Sequence, residues 1–168
     1  MSVTVEQVRD YLRYDTTDND PALTIMLESA KGWVERYTGH LLTSQTVEES
    51  FSSFAPYHDL RWKPYLADSA TVTYLDEDYT EQTFGEVSIY AANGTQRLVP
   101  TTAWPSTNSG AKVAYTAGYA DPADIPDEFI HAIVLFCAMS DEDRAGLTND
   151  GRNTLHWLLA SYRLPVLA

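Results

Sequence analysis

The sequence predicts an α+β protein in which helices from both chain ends form a small bundle and an antiparallel β-sheet is inserted between the second and third helices. Helical periodicity marks the N-terminal part, a period close to two runs from about residue 42 to 120, and helical periodicity returns after Pro126. The chain of 168 residues has the length of one compact domain. No internal repeat or low-complexity linker divides it, so we expect a single domain over residues 1–168.

Two helices are predicted before the strands. Thr4 and Gln7 form a capping-box pattern, which predicts a short helix over about 4–14. Asp20 precedes Pro21, so it is expected to cap a second helix over about 21–38 with the proline at its first position. Apolar residues then follow on one helical face until Gly39, which is expected to end the helix.

The middle of the chain is predicted to be a meandering antiparallel sheet, since Thr, Val and Tyr are frequent and turn residues recur along it. The expected strands span residues 44–51, 71–75, 80–84, 87–90, 96–99 and 111–116. Asp76-Glu77-Asp78 and Asn93-Gly94 have the composition of hairpin turns. Residues 101–110 are polar and broken by proline, so we expect a loop there.

Two further helices and a tail complete the chain. The apolar stripe after Pro126 is wide, which predicts a helix over about 127–140 at the centre of the bundle. A last helix is expected over about 153–162, after a break at Gly146 to Gly151. Residues 163–168 form a C-terminal tail that ends in the uncharged apolar sequence LPVLA.

The chain is strongly acidic. Asp and Glu number 24 and Lys and Arg 11, which gives a net charge of -13. Proteins that bind nucleic acid tightly neutralise its phosphates with clustered Lys and Arg, so this composition disfavours DNA binding. It is compatible with an acidic channel wall past which DNA slides. No apolar run is long enough to span a bilayer, and the N-terminus lacks a secretory signal pattern, so neither membrane insertion nor secretion is expected.

No pattern of catalytic or metal-binding residues is found. His40, His58, His131 and His156 lack metal-ligand spacing, and His131 is expected at a surface or boundary position. Cys137, which has no second cysteine to pair with, lies in an apolar helical stretch and is expected to be an unreactive core thiol. Nucleophile-elbow, phosphate-loop and dinucleotide-binding motifs do not occur. We therefore assign no catalytic, cofactor or metal residues.

Two acidic segments have competing interpretations. Residues 15–20 resemble a calcium loop but lack its glycine and its final glutamate, so helix capping explains them better. Asp141-Glu142-Asp143 stands at the predicted end of a helix, where carboxylates oppose the helix dipole. Either a group outside the chain compensates these charges, or the helix ends earlier or the residues cap a following turn.

Aromatic residues are abundant without any accompanying catalytic motif. The chain contains 11 Tyr, 4 Trp and 5 Phe. Many are expected to fill the core, but Tyr and Trp are also frequent in protein interfaces. The apolar tail is too short to fold alone, so it either docks onto another chain or is a frayed terminus.

The order of segments resembles the head–tail connector (adaptor) proteins of long-tailed bacteriophages and related prophages. The resemblance spans Val3 to Arg163 and is carried by several short segments in a fairly specific order. They are residues 3–13 (VTVEQVRDYLR), the helix ending in Tyr37-Thr38-Gly39, residues 70–76 (ATVTYLD), residues 113–119 (VAYTAGY), Ile125-Pro126, and Leu158-Leu159 to Tyr162-Arg163. Residues 139–144 depart from the pattern, since this turn is acidic where family members often have aromatic and basic residues.

The resemblance implies a structural virion protein without enzymatic activity or cofactor. Such proteins form a ring of about twelve copies on the portal protein, extend the DNA exit channel at the head–tail junction, and present a platform for the stopper or tail. DNA passes the lumen without specific binding. The neck is assembled in the bacterial cytoplasm without a membrane partner. By the same analogy the portal-binding residues are Arg163, Leu164, Pro165, Val166, Leu167 and Ala168.

Two alternatives remain open from the sequence. One is a stopper or tail-completion subunit, which would occupy a neighbouring layer of the same neck. The other, less favoured, is a small acidic metal-dependent hydrolase; paired carboxylates do not support it, because they are abundant only as a result of the acidic composition.

Overall fold

The fold is known from a computed structural model, which describes residues 3–66, 70–92, 94–105, 110–142 and 149–163. The helices are α1 (Val5–Tyr11), α2 (Asp20–Thr38), α3 (Asp127–Glu142) and α4 (Asn149–Leu158), with 3-10 turns at Pro122–Asp124 and Ala160–Tyr162. The strands are β1 (Gln45–Phe51), β2 (His58–Leu60), β3 (Thr71–Leu75), β4 (Glu81–Phe84), β5 (Val87–Ala92), β6 (Thr95–Pro100) and β7 (Ala111–Ala117). This order confirms the α+β class and the insertion of strands between the second and third helices.

The contacts divide the chain into two compact units. The helical unit comprises Met1–Leu42 and Ala120–Ala168, and the β unit comprises Thr43–Tyr119. The ends of the β unit are fastened to each other, since the Ser44 N–H donates to the Tyr119 carbonyl at 3.1 Å. Beside this bond, Gly118 has φ +112, and a Cβ there would lie 2.3 Å from the Thr43 carbonyl oxygen. The chain therefore enters and leaves the β unit at adjacent points.

Helix α1 has the predicted capping box but ends earlier than predicted. The Thr4 hydroxyl accepts from the Gln7 N–H, and the Gln7 side chain accepts from the Thr4 N–H. At the other end Arg13 takes the left-handed conformation at φ +59, and its N–H donates to the Asp10 carbonyl. The Tyr14 N–H donates back to Arg9, which completes a Schellman-type C-terminus. This reversal closes the helix before residue 14.

Helix α2 confirms the predicted apolar face and the Gly39 C-cap, but it corrects the predicted N-cap. The buried residues are Leu23, Leu27, Ala30, Val34 and Thr38. Gly39 is left-handed at φ 72, and its N–H donates to the Glu35 carbonyl. Asn19, not Asp20, is the N-cap residue, because the Asp20 carboxylate instead accepts two bonds from the Arg9 guanidinium at 2.8 and 3.0 Å.

Helix α3 lies at the centre of the helical unit, as predicted, and packs against α1, α2 and α4. Its buried side includes Phe129, Ala132, Ile133 and Cys137. Helix α4 begins at Asn149 rather than at about 153, because Gly151 does not break the helix but lies on its buried side. Among the described helices, none combines the length and the apolar character needed to cross a bilayer.

The strands form two antiparallel sheets rather than one meander. The four-stranded sheet has the order β1-β7-β3-β4, and the three-stranded sheet has the order β2-β6-β5. The meander prediction is wrong at β1, which pairs with the distant β7 instead of the next strand, and the three-residue β2 was not predicted. Strand β7 alternates as expected, with Ala111, Val113, Tyr115 and Ala117 buried.

Both predicted hairpins are present. Strands β3 and β4 are joined through Asp76-Glu77-Asp78, with the Tyr79 N–H donating to the Asp76 carbonyl. Strands β5 and β6 pair up to Ala92 and Thr95, and Gly94 has φ +77. Asn93 and residues 106–109 of the predicted loop lie outside the described residues.

Candidate functional site

The candidate site is the point where the C-terminal tail begins. Arg163 follows the 3-10 turn Ala160–Tyr162 in an extended conformation, and its N–H donates to the Ala160 carbonyl at 3.3 Å. Its guanidinium lies over the ring of Tyr37, 5.5 Å from the centroid. Of the six residues expected to bind a portal, Arg163 alone is described, and it is exposed. Leu164, Pro165, Val166, Leu167 and Ala168 lie outside the described residues.

Under Arg163 lies an aromatic stack of three nearly parallel rings from α2 and α4: Trp33, Tyr37 and His156. Tyr37 and His156 are 4.8 Å apart between centroids, and Trp33 lies 5.2 Å from Tyr37. Trp33 and Tyr37 are four residues apart on α2, so both project from one helical face. The Tyr37 hydroxyl also donates to the His156 carbonyl at 3.4 Å. The stack therefore joins the end of α2 to the end of α4.

Tyr162, the residue immediately before Arg163, is held in place by contacts of its ring and its hydroxyl. Its ring meets Phe129 edge to face at 4.7 Å and His40 at 6.0 Å. Its hydroxyl donates to the Glu128 carboxylate at 3.1 Å. Burial and then this hydrogen bond raise the pKa of Tyr162, so the phenol stays protonated and remains a donor. Contacts on both Tyr162 and Arg163 thus set the position from which the tail departs.

Trp157 is the most exposed tryptophan of the helical unit and follows His156 directly in the sequence. It is 80% exposed. Trp, Tyr and Arg are enriched among the residues that dominate binding energy in protein interfaces. Exposed Trp157, half-buried Tyr37 and exposed Arg163 are therefore residues of the types that protein interfaces use.

The histidines are placed apart, in agreement with their spacing in the sequence. His40 packs against Phe129, and His156 belongs to the aromatic stack. His131 is exposed, as predicted. His58 stacks on Phe51, and its Nε2 accepts from the Ala55 N–H; burial lowers the pKa of this imidazole, and Asp59 opposes the shift. Within the described residues no group of three or more His, Cys, Asp or Glu side chains could hold a metal ion.

Cys137 is a core residue, as predicted. It is fully buried in α3. Burial raises the pKa of its thiol to about 11, so the reactive thiolate is scarce at neutral pH.

Residues of both acidic segments accept hydrogen bonds within the helical unit. Helix α3 continues through Asp141 and Glu142, so the suggestion that it ends earlier is wrong. A group of the same chain compensates Asp141, since its carboxylate accepts from the Tyr14 hydroxyl at 2.8 Å. Asp143 lies outside the described residues. In the segment of residues 15–20, the Thr16 hydroxyl donates to Asp18.

Sequence reasoning missed the aromatic stack and Trp157. The periodicity of α2 places Trp33 and Tyr37 on its apolar face, where both are half-buried. Two signals were available. Two aromatic residues are spaced four apart on α2, and a tryptophan stands beside, rather than on, the apolar face of α4 that includes Leu155.

The sequence matches no protein-family model and no curated protein. Its fold is nevertheless similar to chains of three solved structures. A chain from the neck of an empty gene transfer agent (GTA) particle, computed with C6 symmetry, aligns with a TM-score of 0.77 and 21% identity over 99% of this chain and 92% of that chain. A chain from the virion of a native GTA particle gives 0.76 and 21% over 99% and 92%. A chain from the neck of a native GTA particle computed with C12 symmetry gives 0.74 and 20% over 98% and 90%.

At the level of the fold, this chain is similar to chains from the neck and virion of gene transfer agent particles. The alignments include nearly all of both chains, so the helices and the inserted strands are shared together rather than separately.

Proposed function

We propose that this chain is a structural protein of the neck of a phage-like particle, without enzymatic activity. In this proposal identical copies form a ring of about twelve on the portal, extend the DNA exit channel, and carry the stopper or tail on the opposite side. The segment Arg163 to Ala168 docks on the portal.

The observation that carries the proposal is the fold shared with GTA neck chains over 99% of this chain. The particle necks concerned were computed with C6 and C12 symmetry, which supports an assembly of many copies. A connector acts through surfaces rather than through a reactive group. The docking chemistry of Trp157, Tyr37 and Arg163 agrees with such a role.

The charge of the chain suits a protein that surrounds DNA without holding it. Each copy carries -13, so a ring of twelve would carry roughly -156 before counterions bind. Such a charge repels phosphates and keeps the duplex free to move. DNA therefore passes the neck without specific binding.

The test of tail docking is truncation after Tyr162. We expect the truncated protein to stay folded with an almost unchanged melting temperature, because the removed contact between Arg163 and Tyr37 is an exposed cation–π pair worth about 0.5–1 kcal/mol. Particles assembled with it should lose DNA or fail to join tails. Thermal unfolding and counting of tailed, DNA-filled particles by electron microscopy measure both effects.

Two control variants separate the parts of the tail. Truncation after Arg163 keeps the contact with Tyr37 and should give the same defective particles, since the apolar residues are still missing. A full-length tail of Gly and Ser after Arg163 should be equally defective. Normal particles from any of these three proteins would refute portal docking by the tail.

Site-specific crosslinking identifies the neighbour that the tail touches. A photo-crosslinking residue at Leu164 or Leu167 should capture the portal protein within assembled particles. Capture of a tail-side protein instead would place this chain in the stopper or tail-completion layer. A crosslinker at exposed Ser29 of α2 provides the control for non-specific capture.

A further inference from the structure

The tip of the β3–β4 hairpin, residues 76–80, is held in shape by its own first residue. The Asp76 carboxylate accepts from the N–H groups of Asp78 and Thr80 at 3.0 and 2.9 Å and from the Gln82 amide at 2.8 Å. The bond from Gln82, followed by that from Thr80, lowers the pKa of Asp76. Asp76 is therefore occupied within the tip, and the exposed carboxylates of Glu77 and Asp78 face solvent.

Tyr79 projects from this tip and is almost uncovered by the described part of its own copy. It has φ +59, a left-handed conformation that glycine and asparagine adopt far more readily than a large aromatic residue. Its side chain is 85% exposed, more than that of any other large hydrophobic residue in the described part of the chain. A residue that is unfavourable for the turn and almost uncovered in the monomer fits a contact with another molecule.

A groove of about 290 Å³ lies on the exposed face of the four-stranded sheet, next to the tip of the same hairpin. Ser50, Thr73, Leu75, Glu81, Gly110 and Lys112 are among its lining residues. Gly110 permits a close approach of the backbone to β1, because a Cβ there would lie 2.3 Å from the Phe51 carbonyl oxygen. Leu75 is 40% exposed and supplies apolar surface.

Lys112 gives the groove a positive charge that is not used elsewhere in the described residues. The β unit has four cations, and all of them are described. Lys63 is buried, Arg97 pairs with Asp59, and Arg61 lies over the Trp62 ring. Lys112 is exposed and has no ion-pair partner among the described residues.

We propose that the hairpin tip of one copy docks in the sheet groove of a neighbouring copy. The Tyr79 ring enters against Leu75, and the Glu77 and Asp78 carboxylates face Lys112. Glu81 lines the groove as well and opposes the acidic tip, so it weakens the contact. The inference rests on the proposed ring and gives that ring a copy-to-copy contact.

Tip and groove are different surfaces, so every copy gives one contact and receives another. Contacts of this heterologous kind close into a ring when the rotation between copies allows it. The groove is small, and each copy carries a net charge of -13 that repels other copies, so the contact between free copies is weak. Holding copies side by side on a template raises their effective concentration and strengthens the contact.

A mixed-cysteine experiment tests the contact in purified full-length protein. Thr80→Cys on the tip of one protein and Ser50→Cys on the groove of another, tagged to differ in size, are mixed and oxidised. We expect a disulfide-linked pair of the two sizes. Cys137 does not compete, because it is buried in α3. The control replaces Ser50→Cys by Ser29→Cys, an equally exposed position on α2, and should give little product.

Charge changes then test which residues make the contact. Lys112→Glu in the groove protein should lower the yield roughly two- to fivefold, the effect expected of one exposed ion pair. Glu77→Lys with Asp78→Lys in the tip protein should restore the yield against Lys112→Glu. Tyr79→Gly in the tip protein should also lower it, whereas Glu81→Gln in the groove protein should raise it.

Some outcomes would overturn the inference. Equal crosslinking at Ser29→Cys, a yield indifferent to Lys112→Glu and Tyr79→Gly, or no rescue by the reversed tip would each do so. Circular dichroism of each variant checks that it is folded, and the rescue pair cannot arise from unfolding. The result is independent of the tail, since crosslinking can fail while truncation after Tyr162 still gives defective particles, and the reverse.

Discussion

Arg13 and Tyr79 occupy backbone positions that usually belong to glycine. Both have φ +59, whereas the glycines at Gly39, Gly94 and Gly118 take positive φ without steric cost. Arg13 ends α1, and Tyr79 closes the β3–β4 turn. A sequence search for glycine finds Gly39 and Gly94 but passes over these two residues, because their side chains give no sign of the conformation.

Replacing Arg13 by glycine should stabilise the isolated chain. Relief of the left-handed strain, reduced by the greater backbone entropy of glycine, is expected to add about 0.5–1 kcal/mol to the free energy of unfolding. Arg152→Gly is the matched control, since this exposed arginine lies within α4 and its replacement should destabilise by about 1 kcal/mol. Urea denaturation measures both changes, and a loss of stability in Arg13→Gly would contradict the reasoning.

Residue roles were predictable where the partner lies within one helical turn. The capping box of Thr4 and Gln7 and the buried position of Cys137 follow from local pattern and were predicted. The pairing of Asp20 with Arg9 was not, because a capping position and an ion pair compete for the same carboxylate. The contact of Arg163 with Tyr37 joins opposite ends of the chain, and no local signal reports it.

Among the elements, helices and hairpins were predictable and the sheet order was not. Strands β3 and β4, like β5 and β6, are joined by short turns, so their pairing follows from turn chemistry. The pairing of β1 with β7 brings together strands separated by most of the β unit. Sequence periodicity gives the face of a strand but not its distant neighbour, so the division into two sheets was missed.

Strand β5 forms an edge of the three-stranded sheet. It contains no charged residue, whereas the other terminal strands β1, β2 and β4 each carry at least one carboxylate. The bond from the Thr101 N–H to the Glu86 carbonyl sets the pairing so that Val87, Ile89 and Ala91 point their backbone groups away from β6. Open, uncharged edges of this kind promote strand addition between molecules.

Ser88→Lys should make the purified protein less prone to aggregate. Ser88 is exposed on β5 and lies directly opposite Val99, so the new charge has no like charge at the paired position. We expect light scattering to begin at a higher protein concentration than in the wild type. Ser29→Lys adds the same charge on α2 and should have a smaller effect. Equal protection by both substitutions would contradict a specific role of the strand edge.

For the molecule as a whole, charge was the feature most directly available from the sequence. A net charge of -13 makes free copies repel one another over a distance that salt screens to about 8 Å at physiological ionic strength. The proposed contact between tip and groove supplies one attractive pair against this repulsion. The ring is therefore expected to form on the portal as a template rather than in solution.

Self-association of the purified chain should increase with salt. Screening by salt removes the long-range repulsion between whole copies. The same salt also weakens the ion pair at the groove, but the attractive free energy lost there is smaller than the repulsive free energy removed. Sedimentation velocity across a salt series measures the change, with Lys112→Glu associating less than the wild type at every salt concentration. A stable ring of wild-type chains at low salt without portal would contradict the template hypothesis.

The bond between Ser44 and Tyr119 has a consequence for how such proteins diversify. The strand-rich insertion starts and ends at neighbouring points. It therefore connects the second and third helices as a short turn would, whatever its own length. Residues can then be added to, removed from or exchanged within this insertion, here called the cassette, while the helical bundle stays intact. Divergence in shape and specificity should accumulate within the cassette, and a homologous insertion grafted between Thr43 and Tyr119 should be accepted by the host bundle.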